Sequence, residues 1–250
     1  MEKIDVVVLT KDSEHLLERC LNSIYQNIPV NKLIIVDGYS DDNTLKILQE
    51  FNKKYKNIKV VFDDGNRATA RQKGIREVET EWFAFVDSDV ILCKEWFKRA
   101  EKNIKPNVGA IWGLERYKIK NLNLPLFYKL LSKASKECFK IRGGMHDTLI
   151  RTAVVRDIKI PTNLHHYEDA YIINHVKKKG YEILMPDELY SLHYRPETDW
   201  DIRSSIRLAT NEIRNGLVDS HAFKFILYYP FWVLLWAVQK FSIIKERACT

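Results

Sequence analysis

The chain of 250 residues is poor in cysteine, and its cysteines lie far apart. The four of them, Cys20, Cys93, Cys138 and Cys249, form no Cys-x-x-Cys pair. Zinc sites and the disulfide frameworks of small secreted domains both need closer or denser cysteines. The sequence therefore predicts neither kind of site, and a reducing compartment suits it best.

No internal repeat, low-complexity linker or cleavable leader is visible either. Met1 is followed almost directly by the apolar run at residues 4–9, without a positively charged region before a long apolar segment. The hydrophobic fraction of 46% is that of a folded protein. We expect one α/β domain, alone or with a small appendage, made and kept in the cytosol.

Charge is only moderately biased, with a formal net charge of +7. This bias favours anionic partners, which include nucleic acid, a lipid surface and a phosphorylated substrate. The basic residues are scattered, and the chemistry-bearing residues described below are acidic, so we expect no nucleic acid as a partner.

Short apolar runs alternate with amphipathic segments in the first half of the chain. The runs at residues 6–9, 33–36, 58–62 and 82–86 predict strands, and the segments between them predict helices, the first capped by Ser13 and the second by Asp41 or Asp42. Strands that alternate with helices over short connections predict a mostly parallel sheet with right-handed crossovers.

Acidic residues gather where the predicted strands end. In parallel sheets, ligands bind beyond the carboxyl ends of the strands. Six polar residues fall there: Thr10, Asp37, Asp63, Asp64, Asp87 and Asp89.

Asp87-Ser88-Asp89 is the most informative of these groups. Residues two apart in an extended chain project to the same side, so the two carboxylates point into one crevice while Ser88 faces away. A divalent cation that also holds a diphosphate would relieve their repulsion. An acidic turn after a strand is the plainer alternative.

Five further segments carry a resemblance to a known family. Motifs of the inverting family 2 glycosyltransferases resemble residues 7–12, 17–24, 34–44, 70–75 and 167–183 of this chain. The resemblance covers roughly residues 4–195 and departs at Gly38, where a second Asp is usual. It implies a GT-A fold, a nucleotide-diphospho-sugar transferase sheet flanked by helices.

The resemblance implies a donor half of the site. A UDP- or GDP-linked sugar would contact Thr10, Asp12, Asp37, Arg71, Asp87 and Ser88, with Asp37 accepting from the base and Arg71 reaching the diphosphate or the base. Asp87, Asp89 and His193 would hold Mg²⁺ or Mn²⁺. Three alternatives stay open: Asp37 as a turn former, Arg71 as a solvated helix cation and His193 as a structural histidine.

The resemblance also implies an acceptor half, at Glu168 and Asp169. Asp169 would take the proton of the acceptor hydroxyl, and Glu168 would position Asp169 or the acceptor. The alternative is a helix that has acids in its first turn and Gly180 as its C-cap for stability alone.

Two apolar segments fall outside the motifs. Residues 124–141 predict an amphipathic helix that lies on a membrane surface or packs on the sheet, and residues 225–238 are too short to span a bilayer comfortably. The second segment favours membrane-interface anchoring or a homodimer contact. We divide the chain into a GT-A domain at 1–198, with its donor half at 1–113 and its acceptor half at 114–198, and an apolar helical extension at 199–250.

Taken together, these features predict a metal-dependent inverting glycosyltransferase, peripheral at the cytoplasmic face of a membrane. The acceptor would be a polyprenyl phosphate, a lipid-linked glycan or another glycan. A nucleotidyltransferase is the first alternative, although no glycine-rich, lysine-bearing phosphate loop follows the first strand. A catalytically inactive nucleotide-sugar-binding module is the second.

Overall fold

The computed structural model describes residues 2–116, 144–164 and 168–193. These residues belong to one of the two compact units of the chain, 1–116 with 144–195. The other unit, 117–143 with 196–250, lies outside the described residues. The predicted segments 124–141 and 225–238 and the extension 199–250 therefore lie outside them too, and the domain boundaries stay predictions.

The first half of the chain alternates strands and helices, as predicted. The third and fourth strands have the predicted bounds, and the first two extend beyond them by one to three residues at each end. The elements are β1 (Ile4–Thr10), α1 (Glu14–Asn27), β2 (Val30–Asp37), α2 (Thr44–Tyr55), β3 (Ile58–Phe62), α3 (Arg67–Glu77) and β4 (Trp82–Val86).

The second half consists of shorter elements. They are β5 (Val90–Leu92), α4 (Trp96–Glu101), β6 (Val108–Trp112), β7 (Leu114–Arg116), β8 (Asp147–Arg151), α5 (Thr152–Val155), α6 (Glu168–Lys178), β9 (Glu182–Leu184) and β10 (Tyr190–His193). None of the helices in the described part of the chain is long and apolar enough to cross a membrane.

The main sheet has seven strands in the order β3-β2-β1-β4-β8-β6-β9. The pairs among β3, β2, β1 and β4 are parallel, and β8 is antiparallel to both of its neighbours. Every residue of β4 is buried, which explains its uninterrupted apolar sequence. Because β1 to β4 lie side by side and parallel, their carboxyl ends share one edge, as the sequence predicts.

A second, three-stranded sheet has the order β5-β10-β7. Strand β5 begins directly after Asp89 and pairs antiparallel with β10, so that His193 lies opposite Val90. This pairing brings a histidine from the far end of the described chain to the loop after β4.

The start of α2 shows how Asp42 joins two helices. One oxygen of Asp42 accepts from the backbone N–H of Thr44 at 2.9 Å, and the other accepts from the N–H of Glu14, the first residue of α1, at 3.0 Å. The helix begins after Asn43, whose side chain makes no cap bond. Asp42 therefore satisfies one orphan donor at each helix start, which fixes α1 and α2 relative to each other.

Gly74 allows α3 to lie close to the sheet. A Cβ atom at this position would come within 2.5 Å of Val7 Cγ1 in β1. The buried face of α3 consists of Ala68, Arg71, Gly74 and Ile75. The small residues Ala68 and Gly74 on this face leave room for the side chain of Arg71 beside the helix.

Candidate active site

Three candidate metal ligands converge at the end of β4. One ligand atom from each of Asp87, Asp89 and His193 lies within 4.8 Å of the other two. The Nε2 atom of His193 is 3.0 Å from Asp89 Oδ1. Both aspartate side chains are about one-third exposed, at 32% and 30%, so solvent and ligand reach them.

The donor atoms of this cluster fit a hard divalent cation. Two carboxylates supply oxygen ligands, which Mg²⁺ and Mn²⁺ prefer, and a neutral imidazole is an acceptable third ligand for Mn²⁺. Two carboxylates this close repel each other unless positive charge lies nearby. The residues present therefore fit the predicted ion.

Asp87 also faces fixed positive charge from the protein. Burial by itself would raise the pKa of its carboxyl, but Arg71, followed by His193 and His146, holds that pKa below its ordinary value. Asp87 is therefore ionised at neutral pH, which a metal ligand requires.

Arg71 is buried among three carboxylates, with only 3% of its surface exposed. Its Nη2 atom is 3.4 Å from Asp87 Oδ1, and its Nε atom is 3.1 Å from Asp169 Oδ1 and 3.5 Å from Glu168 Oε1. Its guanidinium also lies 4.9 Å from the centre of the Phe85 ring. The alternative of a solvated helix cation is wrong, because Arg71 is buried and joins Asp87 of the candidate metal cluster to the acidic pair of α6.

Glu168 and Asp169 occupy the first turn of α6, as predicted. Glu168 is buried, whereas the side chain of Asp169 is 27% exposed. Burial, with a further contribution from Asp169, raises the pKa of Glu168 to about 7, and Arg71 opposes this rise. The helix ends before Gly180, which has a φ of +82°. The helix thus has the stabilising features of the alternative interpretation, which are acids in its first turn and a glycine after its end. These features are compatible with a catalytic role for the same acids, which stays a prediction.

Asp37 holds together the loop that follows β2. Its Oδ2 atom accepts from the hydroxyls of Thr10 and Ser40, both at 2.7 Å, and its Oδ1 atom accepts from the backbone N–H of Ser40 at 2.8 Å. The residue is fully buried. Asp37 therefore makes the contacts expected of a turn former, and base recognition by Asp37 stays a prediction.

Asp12 and Ser88 lie on loops near these groups. Asp12 is exposed, has a φ of +47°, and accepts from the backbone N–H of Asp41 at 3.0 Å. The Ser88 hydroxyl lies 3.1 Å from the Ser13 hydroxyl, at the start of α1. Their predicted contacts to a nucleotide stay predictions.

His146 and Asp147 form part of this region, although their roles could not be predicted from the sequence. The backbone N–H of Asp87 donates to the carbonyl of His146 at 2.9 Å. The available sequence signal was the position of both residues just before the short run Thr148-Leu149-Ile150. His175, by contrast, lies on α6 away from this cluster, with its Nε2 atom 3.1 Å from the Val154 carbonyl oxygen.

The fold and the site define a glycosyltransferase of the GT-A type. A family model described as glycosyl transferase family 2 matches residues 5–148, which is more than half of the chain. The chain therefore belongs to glycosyl transferase family 2.

Individual relatives agree with this assignment. The glycosyltransferase AglE of Haloferax volcanii is 20% identical over 95% of this chain and 82% of its own length. The chain spans less than half of three other curated relatives, covering 18%, 26% and 42% of their lengths.

Two solved structures share the fold. The mannosyltransferase PcManGT of Pyrobaculum calidifontis, in complex with GDP-Man and Mn²⁺, has a TM-score of 0.68 at 17% identity and aligns over 99% of this chain and 76% of its own. TarS 1–349 of S. aureus, in complex with UDP-GlcNAc, has a TM-score of 0.64 at 24% identity, over 79% of this chain and 60% of its own.

Proposed function

We propose that the protein is a metal-dependent inverting glycosyltransferase that moves a sugar from a nucleoside diphosphate sugar to a lipid-linked or glycan acceptor. The observation that carries this proposal is the connection of two acidic groups through one buried arginine. Arg71 contacts Asp87 of the candidate metal cluster on one side and Glu168 and Asp169 on the other. A donor diphosphate and an acceptor hydroxyl would meet between them.

The metal cluster would bind the donor diphosphate. Asp87, Asp89 and His193 would hold Mg²⁺ or Mn²⁺, which would supply positive charge to the departing diphosphate. Structures of PcManGT and of another structural neighbour contain Mn²⁺ together with a nucleotide ligand, which supports this assignment. Arg71 would add a fixed positive charge beside Asp87 and keep that carboxylate ionised.

Asp169 would act as the base toward the acceptor. Of the two acids in α6, it is the one that solvent and an acceptor can reach, because Glu168 is almost completely buried. As the acceptor oxygen attacks the anomeric carbon, Asp169 would take the hydroxyl proton and the nucleoside diphosphate would leave from the opposite face. An acceptor that is itself a phosphate would need little deprotonation, and Asp169 would then matter less.

The nucleoside would lie against the loops after β1 and β2. Asp37 would support it by holding Thr10 and Ser40 in place, because three hydrogen bonds already engage its buried carboxylate. Asp12 and Ser88, on neighbouring loops, would supply further polar contacts. The structural neighbours have UDP- or GDP-linked donors, so both bases belong in a test.

The acceptor and the cellular location extend this proposal. A relative of this chain in S. aureus is named a poly(ribitol-phosphate) beta-N-acetylglucosaminyltransferase, and the net charge of +7 suits a phosphate-rich acceptor or an anionic membrane surface. We propose that the protein is cytosolic and peripheral at the cytoplasmic face of the membrane.

The first experiment is a thermal-shift panel of UDP- and GDP-sugars with and without Mn²⁺. We expect one sugar nucleotide to raise the unfolding temperature only when Mn²⁺ is present, and Asp89→Asn to remove that shift. Product analysis with the responding donor and candidate acceptors follows. Release of a nucleoside diphosphate with transfer of the sugar supports the proposal.

Two outcomes would contradict this function. Transfer of a nucleoside monophosphate with release of pyrophosphate would identify a nucleotidyltransferase. Metal-dependent binding without turnover on any lipid-phosphate, teichoic or oligosaccharide acceptor would favour an inactive binding module.

A further inference from the structure

His146 and Asp147 form a buried polar pair beside the metal cluster, and the proposed mechanism gives them no role. His146 is 5% exposed and Asp147 is fully buried. Asp147 begins β8 and pairs with Val86, the last residue of β4. Buried polar side chains are costly to keep unless they contribute to a network.

Asp147 is anchored from two sides. Its Oδ2 atom accepts from Trp96 Nε1 at 3.0 Å, and its Oδ1 atom lies 2.8 Å from His146 Nε2. The backbone of Gly113 packs against the same carboxylate, because a Cβ atom there would fall 1.7 Å from Asp147 Oδ2. The carboxylate therefore has little freedom to move, and it restrains the imidazole of His146.

His146 in turn lies beside two of the three candidate ligands, its ring next to His193 and its backbone bonded to Asp87. Its ring lies nearly parallel to the ring of His193, with 5.9 Å between the centroids and 18° between the planes. Its backbone carbonyl accepts from the N–H of Asp87 at 2.9 Å. A fixed His146 ring would thus limit the ring orientation of His193, and the main-chain carbonyl of His146 separately holds the backbone at Asp87.

We propose that His146, held by Asp147, is a positioning residue that fixes the His193 ring for metal binding. This inference rests on the proposed function, because it takes Asp87, Asp89 and His193 as the ligands. Groups that orient a ligand imidazole typically change metal affinity about 10- to 100-fold when they are removed. Here the His193 ring would be supported by the His146 ring, which the buried Asp147 carboxylate restrains. Trp96 and Gly113 in turn hold that carboxylate in place.

The test measures Mn²⁺ binding to the full chain, with the metal alone as probe. Free Mn²⁺ is followed by its electron paramagnetic resonance signal during titration. We expect His146→Leu to weaken Mn²⁺ binding about tenfold or more, and Asp147→Asn to weaken it in the same direction. His15→Leu, which changes an exposed histidine of α1, is the matched control and leaves the affinity unchanged.

A spectroscopic readout separates positioning from general loss of structure. Electron spin echo envelope modulation of bound Mn²⁺ detects a directly coordinated imidazole nitrogen. We expect this nitrogen signal in the wild type and in His15→Leu, its loss in His193→Leu, and its reduction in His146→Leu at saturating Mn²⁺. If His146→Leu does not fold, Asp147→Asn, which keeps the shape of the side chain, provides the same comparison.

The outcomes distinguish a failure of the positioning role of His146 from a failure of the metal-ligand assignment. If Asp89→Asn loses Mn²⁺ binding while folded His146→Leu and Asp147→Asn bind within twofold of wild type with an unchanged nitrogen signal, the positioning role is wrong and the metal site stands. If Asp89→Asn binds Mn²⁺ as well as wild type, the ligand set is wrong and the role of His146 falls with it.

Discussion

The two acidic groups of the site differ in how their negative charge is balanced. Asp87 and Asp89 are about one-third exposed, and their ligand atoms converge with that of His193. Glu168 and Arg71 have side chains only 3% and 4% exposed, and the arginine supplies a charge within the fold that balances the neighbouring Asp169. The geometry of the first group fits a cation taken from solution, whereas the second group has Arg71 as its own cation.

The two groups therefore suit different roles. An exposed carboxylate pair can exchange an ion with solvent each time a donor binds and a product leaves. A buried ion pair cannot, because breaking it would leave an uncompensated charge inside the protein. Asp87 belongs to both groups, through His193 and Asp89 on one side and Arg71 on the other. Changes to Asp89 should therefore mainly affect activity, whereas changes to Arg71 should mainly affect stability.

The largest expected effect is on activity, from Asp89→Asn. The substitution keeps the size of the side chain and removes one charge from the metal cluster. We expect sugar transfer to fall by about a thousandfold, equivalent to roughly 4 kcal/mol of transition-state stabilisation. The stability without metal should change by no more than about 1 kcal/mol, because the side chain is partly exposed.

Steady-state transfer assays and urea unfolding check both parts of this prediction. Glu50→Gln, an exposed acid of α2, is the control and keeps full activity. Transfer by Asp89→Asn within tenfold of wild type would mean that this carboxylate is not a metal ligand.

The next largest effect is on stability, from Arg71→Met. Methionine retains apolar bulk beside Phe85 but leaves Asp87, Glu168 and Asp169 without their shared cation. We expect a loss of about 3 kcal/mol or more in the free energy of unfolding at neutral pH, as for other buried charges that lose a partner.

Arg76→Met is the matched control for Arg71→Met. Arg76 lies on the same helix but is exposed, so its loss should cost no more than about 0.5 kcal/mol. Urea titrations of both variants give the comparison. Equal stability of the two variants would contradict the buried-cation role of Arg71.

Much of this site could be predicted from the sequence, for identifiable reasons. Strand β4 is one apolar run, so its end at Asp87 is unambiguous, and α6 has acids in its first turn and a glycine after its end. Local patterns of this kind also predicted the helices between the first strands. The resemblance to family 2 then joined segments that are distant in the chain.

Three features could not be predicted, because they depend on packing between distant segments. Strands β5 and β10 have three and four residues, too few for a pattern, yet their pairing places His193 opposite Val90. The burial of Arg71 depends on which face of a polar helix meets the sheet, and the small residues Ala68 and Gly74 were the available signal. The contact between Trp96 and Asp147 joins residues 51 apart in the chain.

The buried group should also make the stability depend on pH, through Glu168. The pKa of Glu168 is raised to about 7, above its ordinary value of 4.5. In the folded state the carboxyl stays protonated up to about pH 7, whereas in the unfolded chain it ionises near pH 4.5. The stability that protonated Glu168 contributes is therefore full at low pH and is lost as pH rises toward 7, by up to about 1.4 kcal/mol per pH unit.

Glu168→Gln should lack this dependence. We expect the stability of wild type relative to Glu168→Gln to fall by about 2 kcal/mol between pH 5 and pH 7 and then to level off. The relative stability of wild type and Glu50→Gln should stay flat over the same range. Urea unfolding at half-unit pH intervals measures both, and a flat difference for Glu168→Gln would show that this carboxyl is already ionised at pH 5.

The smallest effect concerns the close packing that places Arg71 between the two groups. Gly74→Ala adds a Cβ atom that would lie 2.5 Å from Val7 Cγ1, so α3 must shift away from β1. We expect a loss of about 1–2 kcal/mol, the usual cost of overpacking. The double variant Gly74→Ala with Val7→Ala removes the obstructing methyl group, so its loss should be smaller than the sum of the two single losses. If the single losses simply add, the gap between α3 and β1 accepts a methyl group, and Gly74 has no part in holding Arg71 against its three carboxylates.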